Sequence, residues 1–161
     1  MRGIRWIAVA AFTLAACSPT SKTAQPPSGF PDVRDFTAVS PDDPKSTLPS
    51  FRTPEQISCV VDFGDRSSIV CSGNLRGLPA SRGGTGCASV RKADTSAGDA
   101  PYVFVRSGPD CAPSRAMPLS AGQKVVGKNG TCVIGDDHLV ACIDADNRHG
   151  FVLQPSGSWV F

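Results

Sequence analysis

The sequence predicts an all-β protein: a small disulfide-stapled sandwich or barrel of about seven to nine short strands. After Phe51, short apolar stretches alternate with turns rich in Gly, Pro, Asn and Asp, which is typical of an all-β domain. No window of this region shows the 3.6-residue apolar period of an amphipathic helix. Six of the seven cysteines lie between residues 59 and 142, and an even number in an exported chain predicts disulfides.

Two segments, 59–71 and 132–142, resemble each other. Each opens with Cys-Val, contains Gly-Asp and closes with a cysteine. We interpret both as β-hairpins with three-residue loops, Gly64–Arg66 in the first and Asp136–His138 in the second. The opposed pairs are then Phe63 with Ser67, Val61 with Ile69, Cys59 with Cys71, Ile134 with Val140, and Cys132 with Cys142.

The two hairpins favour one pattern of disulfides. Opposed residues at a non-hydrogen-bonded position have Cα atoms about 4.5 Å apart, which a disulfide can bridge. Six cysteines allow 15 connectivities, and the chief rival joins a cysteine of one hairpin to one of the other. The predicted bonds are Cys59–Cys71, Cys132–Cys142 and Cys87–Cys111.

Further strands are expected in the second half of the chain, at 101–106, 123–127, 150–154 and 158–161. The last two face each other across Pro155-Ser156-Gly157, a turn signal. Because the chain ends on Trp159 and Phe161, we expect a packed C-terminus.

The first 16 residues have the layout of a secretory signal. Arg2 and Arg5 precede an uncharged apolar run of 11 residues, 6–16, which is well short of the ~20 needed to span a bilayer. Leu14-Ala15-Ala16-Cys17 resembles the bacterial lipobox, and this resemblance implies a thioether-linked diacylglycerol on Cys17. The alternative is an ordinary signal peptide cut elsewhere. We expect a chain anchored to the outer face of the cell membrane.

Residues 17–50 are predicted to be the lipidated cysteine and a tether, and residues 51–161 the extracytoplasmic β domain. Seven prolines and many Ser, Thr and Asp residues occupy 18–50, a composition that buries too little apolar surface to fold. Such a chain reaches about 30 Å on average. In the alternative, residues 30–36 dock on the domain through Phe30 and Phe36.

The balance of charges in the exported chain argues against nucleic acid as a partner. Without Arg2 and Arg5, fourteen basic residues balance fourteen acidic ones. Residues 76–128 carry eight basic and three acidic side chains; they are scattered, so ordinary surface charge is favoured over contact with anionic lipid or glycolipid. Arg82, within the glycine-rich stretch 77–86, is a candidate contact for an anionic ligand. That stretch lacks the order of a phosphate-binding loop and is interpreted as flexible.

Several short motifs resemble a group of uncharacterised actinobacterial, chiefly mycobacterial, secreted proteins and lipoproteins. This resemblance spans most of the exported chain, supports the envelope location and implies no catalytic residue. The motifs are Phe36-Thr-Ala-Val, Phe51-Arg-Thr-Pro54 before Ile57-Ser-Cys59, Cys71-Ser-Gly73 before Gly77-Leu-Pro79, and Gly150-Phe-Val-Leu before Trp159-Val-Phe161.

The sequence offers little catalytic chemistry and no evident cofactor or metal site. His138 beside Asp136 and Asp137, or His149 after Asp144 and Asp146, can supply a base and its orienting group, but no G-x-S-x-G nucleophile motif occurs. No C-x-x-C pair accompanies the histidines. Residues 144–150 begin like a calcium loop, but Arg148 occupies the third ligand position and no bidentate glutamate follows.

These observations favour a non-catalytic envelope module that binds a lipid, a glycan or a protein. One alternative is a small envelope hydrolase using His138 or His149. Another is an inhibitor that presents residues 72–86 as a rigid loop.

Overall fold

The protein is an all-β fold of two sheets. The computed structural model describes residues 24–39, 49–63, 68–94 and 100–161, so the predicted signal peptide and Cys17 lie outside the described residues. Within the described part of the chain there are twelve strands and two short 3-10 helices. The sheets do not close into a barrel, and of the two predicted architectures the sandwich is the one observed.

Each sheet contains six strands. The first sheet has the order β1-β8-β9-β10-β11-β12, and the second has the order β6-β5-β4-β3-β2-β7. The strands are β1 Thr37–Ala38, β2 Ser50–Arg52, β3 Ile57–Phe63, β4 Ser68–Gly73, β5 Cys87–Lys92, β6 Tyr102–Ser107, β7 Met117–Pro118, β8 Gln123–Val126, β9 Gly130–Ile134, β10 Val140–Asp144, β11 Gly150–Leu153 and β12 Trp159–Val160.

Twelve strands exceed the seven to nine expected, because the total includes very short ones. β1, β7 and β12 have two residues each, and two residues are too few for an alternating pattern to mark in the sequence. The four strands predicted in the second half of the chain are present at β6, β8, β11 and β12, with bounds that differ by at most one residue at either end.

The hairpin of β9 and β10 has the predicted register. Ile134 pairs with Val140 and Cys132 with Cys142. The amide of Leu139 donates to the carbonyl of Asp136 at 3.1 Å, and the two central residues of this turn have positive φ, 53° at Asp137 and 63° at His138. This is the geometry of a type I′ turn, whose twist matches that of the flanking strands.

The hairpin of β3 and β4 differs from the prediction near its turn. Cys59 pairs with Cys71 as expected, but Phe63 pairs with Ser68 and not with Ser67. The register shifts between Val60 and Phe63, because a β-bulge places one extra residue in β3. A bulge leaves no mark on a short alternating pattern. The loop predicted at Gly64–Arg66 lies outside the described residues.

All three disulfides have the predicted partners. The Cα atoms are 4.1 Å apart in Cys59–Cys71, 4.1 Å in Cys132–Cys142 and 4.6 Å in Cys87–Cys111. Both hairpin disulfides are fully buried. These two bonds join directly opposed residues of paired strands, so the rival pairing between hairpins does not occur.

The core lies between the two sheets. Alternate residues of β3 point inward, and Ile57, Cys59 and Val61 are each at most 3 % exposed. Strands β10 and β11 of the first sheet are buried along their whole length. The second sheet covers one face of these strands, and residues 30–36 cover the other. The largest fully buried side chains include Tyr102, Phe51, Phe151, Ile69, Leu119 and Leu153.

A buried polar cluster joins the sheets at one end of the sandwich, which we term the Asp144 end. The hydroxyl of Tyr102 on β6 donates to Asp144 Oδ1 on β10 at 2.6 Å, and it accepts the amide of Ile69 at 3.3 Å. Lys92 Nζ lies 2.7 Å from Asp144 Oδ2. Burial and the carboxylate of Asp144 raise the pKa of Tyr102 above its usual value, so the phenol stays a donor.

Residues 24–39, which we term the strap, cross the outer face of the first sheet through Phe30, Val33 and Phe36 and then join the edge of that sheet as β1. Phe30, Val33 and Phe36 pack with Trp159 and Leu139 over the second buried cluster of the molecule. The ring of Phe30 meets that of Phe161 edge-on, with centroids 5.6 Å apart. Residues 30–36 therefore dock on the domain, which is the alternative that the sequence left open.

One side-chain hydrogen bond and a short parallel strand pairing complete the docking of the strap. Lys124 Nζ donates to the carbonyl of Val33 at 2.7 Å, and β1 pairs in parallel with β8.

The C-terminus is packed as expected, because Phe161 and Gly150 exchange two backbone hydrogen bonds. Nowhere in the described ranges does a helix have the length and apolar character needed to cross a bilayer.

We predict that the cluster at the Asp144 end contributes strongly to stability. Asp144→Ala should lower the free energy of unfolding by about 3–5 kcal/mol, because it leaves Lys92 largely buried without its counter-charge. Tyr102→Phe, which removes one hydroxyl, should lower it by about 1–2 kcal/mol. Urea unfolding measures both.

The exposed Asp110 is the matched control, because it belongs to no described ion pair. Asp110→Ala should change the free energy of unfolding by no more than about 0.5 kcal/mol. An Asp144→Ala variant as stable as Asp110→Ala would show that the cluster is not needed to hold the sheets together.

Candidate functional site

The end of the sandwich opposite the Asp144 cluster, here termed the His138 end, brings several turns together. The β2–β3 turn is closed by two backbone bonds: the Thr53 amide donates to the carbonyl of Ile57 at 2.8 Å, and the Gln56 amide donates to the carbonyl of Thr53 at 3.1 Å. Pro54 fits the second position of such a turn. Gln56 follows with φ 66°, a conformation that is uncommon outside glycine. Together with Asp137 and His138, three non-glycine residues with positive φ occupy two facing turns.

Glu55 and His138 form a hydrogen-bonded pair across these turns. His138 Nδ1 lies 2.6 Å from Glu55 Oε1, and the side chains are 51 % and 17 % exposed, respectively. The expectation that Asp136 or Asp137 orients His138 is wrong, because Glu55 does so from the other sheet. The two residues are 83 positions apart, and no local pattern in the sequence connects them.

The pKa of Glu55 is lowered by this environment. Burial alone would raise it, but hydrogen bonds from His138, from its own backbone and from Thr53 outweigh burial. The ionised carboxylate is therefore the stable form in the folded protein.

We predict that Glu55 contributes stability that is lost in acid. Its folded-state pKa lies below 4.5, so the contribution is complete above that pH and disappears as the pH falls through the folded-state value. The difference in free energy of unfolding between the wild type and Glu55→Gln should therefore shrink from pH 7 to pH 3. Urea unfolding at several pH values measures it.

The His138→Gln background is the control for this prediction. It removes the strongest hydrogen bond that lowers the pKa of Glu55, so the same comparison should depend less on pH. A wild-type difference that stays constant from pH 7 to pH 3 would contradict the assignment.

A narrow cleft lies beside the Glu55–His138 pair. Its cavity volume is about 10 Å³, roughly the space of one water molecule, and its other walls include Asn74, Arg76 and Leu153. Small-molecule sites typically enclose about 300–1,000 Å³. None of its described lining residues is a serine, threonine or cysteine. The cleft therefore holds a base and its orienting carboxylate without a nucleophile.

His149 lies at the Asp144 end, far along the strands from His138. Its Nδ1 is 3.3 Å from the carbonyl of Phe161. The carboxylates of the suspected calcium loop have other partners, Asp144 in the buried cluster and Asp146 accepting the amide of Arg148 at 3.1 Å. Among the described residues, no group of three or more His, Cys, Asp or Glu is placed to hold a metal ion.

A larger groove crosses the outer face of the second sheet and adjoins the cleft at Asn74. Its cavity volume is about 280 Å³. Its floor is a cross-strand row in which Arg52 pairs with Ser58 and Ser58 with Ser72. These residues point outward because their neighbours Phe51, Cys59 and Cys71 point into the core. Residues 111–114 form one wall.

We term this groove, as defined by its lining residues, the Arg52 groove. Two hydrogen bonds and one disulfide fix its wall in place. The hydroxyl of Ser58 donates to Ser114 Oγ at 2.8 Å, and Arg52 Nε donates to the carbonyl of Ala116 at 3.2 Å. The Cys87–Cys111 disulfide fastens the start of the wall to β5. The described groove residues are Arg52, Gln56, Ser58, Ser72, Gly73, Asn74, Cys111, Ala112, Pro113 and Ser114.

Gly73 allows the β2–β3 turn to approach the groove floor. Its φ is 131°, and a Cβ atom there would lie 2.1 Å from the carbonyl oxygen of Gln56. Only glycine accommodates both this conformation and this contact. The Cys71-Ser-Gly73 motif therefore has a structural role in shaping the groove.

Arg82 does not line the groove or the cleft. It ends a 3-10 helix, Ala80–Arg82, and Arg106 donates from Nε to the carbonyl of Arg82 at 3.0 Å and from Nη1 to the carbonyl of Gly86 at 2.9 Å. Gly77 also accepts the amide of Ser158 at 2.6 Å. The stretch interpreted as flexible is thus fixed by hydrogen bonds at both ends.

Sequence reasoning did not find the Arg52 groove, although part of the signal was present. Strand alternation places Arg52, Ser58 and Ser72 on the face opposite the buried residues. The wall residues 111–114 belong to an irregular segment, which no periodicity could assign to this face.

Comparison with known proteins gives no match: no family model, curated protein or solved structure matches the chain. The functional assignment therefore depends on the residues of this chain alone.

Proposed function

We propose that the protein is a lipoprotein of the bacterial cell membrane, anchored through Cys17, whose folded part is a non-catalytic binding module facing the envelope. The Arg52 groove is the observation that carries this proposal. Its cavity volume of about 280 Å³ is close to the lower end of the range of ligand sites, about 300–1,000 Å³. The hydrogen-bonding side chains along its floor and its fixed wall suit recognition of a ligand with polar groups.

The groove is better suited to binding than to catalysis. It contains serine hydroxyls, but none of its described lining residues is a histidine or a carboxylate that can take a proton from them. The base His138 pairs with Glu55, while Ser58 pairs with Ser114. Acyl transfer needs the nucleophile and its base hydrogen-bonded to each other.

The strap supports presentation close to a membrane. The amide of Ala24 donates to the carbonyl of Asp146 at 3.3 Å, so the strap begins at the Asp144 end. Cys17 is seven residues before Ala24, and seven extended residues span at most about 25 Å. An anchor on Cys17 therefore keeps the start of the strap, at the Asp144 end, within about 25 Å of the membrane surface.

We predict that Cys17 carries the anchor. The native protein should fractionate with membranes and show an acyl mass on a mature N-terminal cysteine, because at least two acyl chains give stable binding. Cys17→Ala should lose the acyl mass and the mature N-terminus. Membrane fractionation of the wild type and intact mass spectrometry of both proteins test this.

Ser18→Ala is the matched control and should remain acylated. A wild-type protein that is released without acyl mass would overturn the anchored part of the proposal and leave a secreted binding module.

The Glu55–His138 pair makes a small envelope hydrolase the second candidate. A solvent-exposed imidazole held by a carboxylate can act as a general base on water. In that case the wild type should hydrolyse an activated ester such as p-nitrophenyl acetate faster than His138→Gln does. Equal rates for the two proteins would exclude this use of His138.

A further inference from the structure

The floor of the Arg52 groove is a row of hydrogen-bonding side chains at regular spacing. Arg52, Ser58 and Ser72 occupy paired positions on three adjacent strands, β2, β3 and β4. Neighbouring strands lie about 4.8 Å apart, so a cation and two hydroxyls follow one another across the sheet. Gln56 and Asn74 add amide groups at the rim.

One nitrogen of the Arg52 guanidinium is held by a hydrogen bond, and its other N–H donors can still bind a ligand. Its Nε donates to the carbonyl of Ala116, and neither Nη group has a hydrogen-bond or ion-pair partner among the described residues. Two parallel N–H groups on a planar fork match the two oxygens of a carboxylate or phosphate. Tethering Nε in advance reduces the entropy lost when a ligand binds.

The charge around the groove favours an anion. None of the ten described lining residues is acidic. The exposed Arg76 in the adjoining cleft and the exposed Arg115 after the wall add positive charge nearby. Two carboxylates also lie outside the groove: Glu55 in the same cleft, where it is hydrogen-bonded to His138, and the exposed Asp110 before Cys111. A ligand oxyanion at Arg52 would therefore meet no opposing carboxylate within the groove.

The remaining groups suit hydroxyls. Ser114 Oγ accepts hydrogen bonds from Ser58 and from the amide of Ala116 at 3.2 Å, so its own proton is free to be donated. The hydroxyl of Ser72 and the amides of Gln56 and Asn74 can donate and accept. No described lining residue is aromatic, so the groove offers no surface on which a nucleobase would stack.

We propose that the Arg52 groove binds a saccharide bearing an oxyanion, either a phosphate or a carboxylate. Arg52 holds the oxyanion through its two Nη groups, and Ser72, Ser114, Gln56 and Asn74 hydrogen-bond to sugar hydroxyls. This inference deepens the proposed binding function and names the chemical class of its ligand. It does not depend on the anchor.

Isothermal titration calorimetry of the detergent-solubilised full-length protein tests the proposal with four probes: glucose 6-phosphate, glucuronate, glucose and inorganic phosphate. At least one of the two anionic sugars should bind more tightly than both glucose and inorganic phosphate, because only these probes engage both Arg52 and the hydroxyl-binding groups. Preference between them identifies whether phosphate or carboxylate is the better match.

Two substitutions separate the fork of Arg52 from its charge. Arg52→Gln should weaken binding of the anionic sugar by roughly 10- to 100-fold, and Arg52→Lys should weaken it by less, because it keeps the charge but loses the bidentate fork. Arg82→Gln is the matched control outside the groove and should bind like the wild type. Thermal unfolding of each variant checks that the fold is retained.

Equal binding of glucose and the anionic sugars would overturn the inference, as would loss of binding in Arg82→Gln equal to that in Arg52→Gln. Absence of binding by all four probes at millimolar concentration would also overturn it. Membrane fractionation is a separate readout, so a chain that fractionates as predicted but binds no anionic sugar would remain an anchored module with a different ligand.

Discussion

The register of the two cysteine hairpins is the constraint on which the rest of the structure depends. In a strand, a slip of one residue exchanges the inward and outward faces. The bonds Cys59–Cys71 and Cys132–Cys142 join directly opposed residues, so they exclude such a slip in the centre of each sheet. The same register that buries Cys59 and Cys71 turns Ser58 and Ser72 outward. The floor of the Arg52 groove is thus a consequence of the disulfide framework.

The sequence predicts this framework well because it is local. Hairpin strands are close in the chain, and cysteines symmetric about a turn identify both the register and the bond. The bulge in β3 was not predicted, because one extra residue between Val60 and Phe63 does not disturb the overall alternation. Docking of the strap remained an open alternative, because apolar residues at 30–36 indicate that packing is possible but do not identify the surface that receives them.

Most of the candidate site could not be predicted, because its residues are distant in sequence. Glu55 and His138 meet only because turns of the two sheets lie at the same end of the sandwich. Ser58 and Ser114 are 56 positions apart and meet because the Cys87–Cys111 bond fastens an irregular wall over the sheet. The residue types did not indicate a binding site, because serine, glutamine and asparagine are also common in turns and solvent-exposed strands.

The two outer faces of the sandwich differ: the strap covers one, and a groove with hydrogen-bonding side chains lies on the other. The strap covers the outer face of the first sheet with Phe30, Val33 and Phe36, so apolar surface there is removed from water. The outer face of the second sheet keeps a polar groove beside the disulfide-fastened wall. The strap starts at the Asp144 end and the groove adjoins the His138 end, so under the proposed anchoring the groove lies at the end of the sandwich farther from the start of the strap.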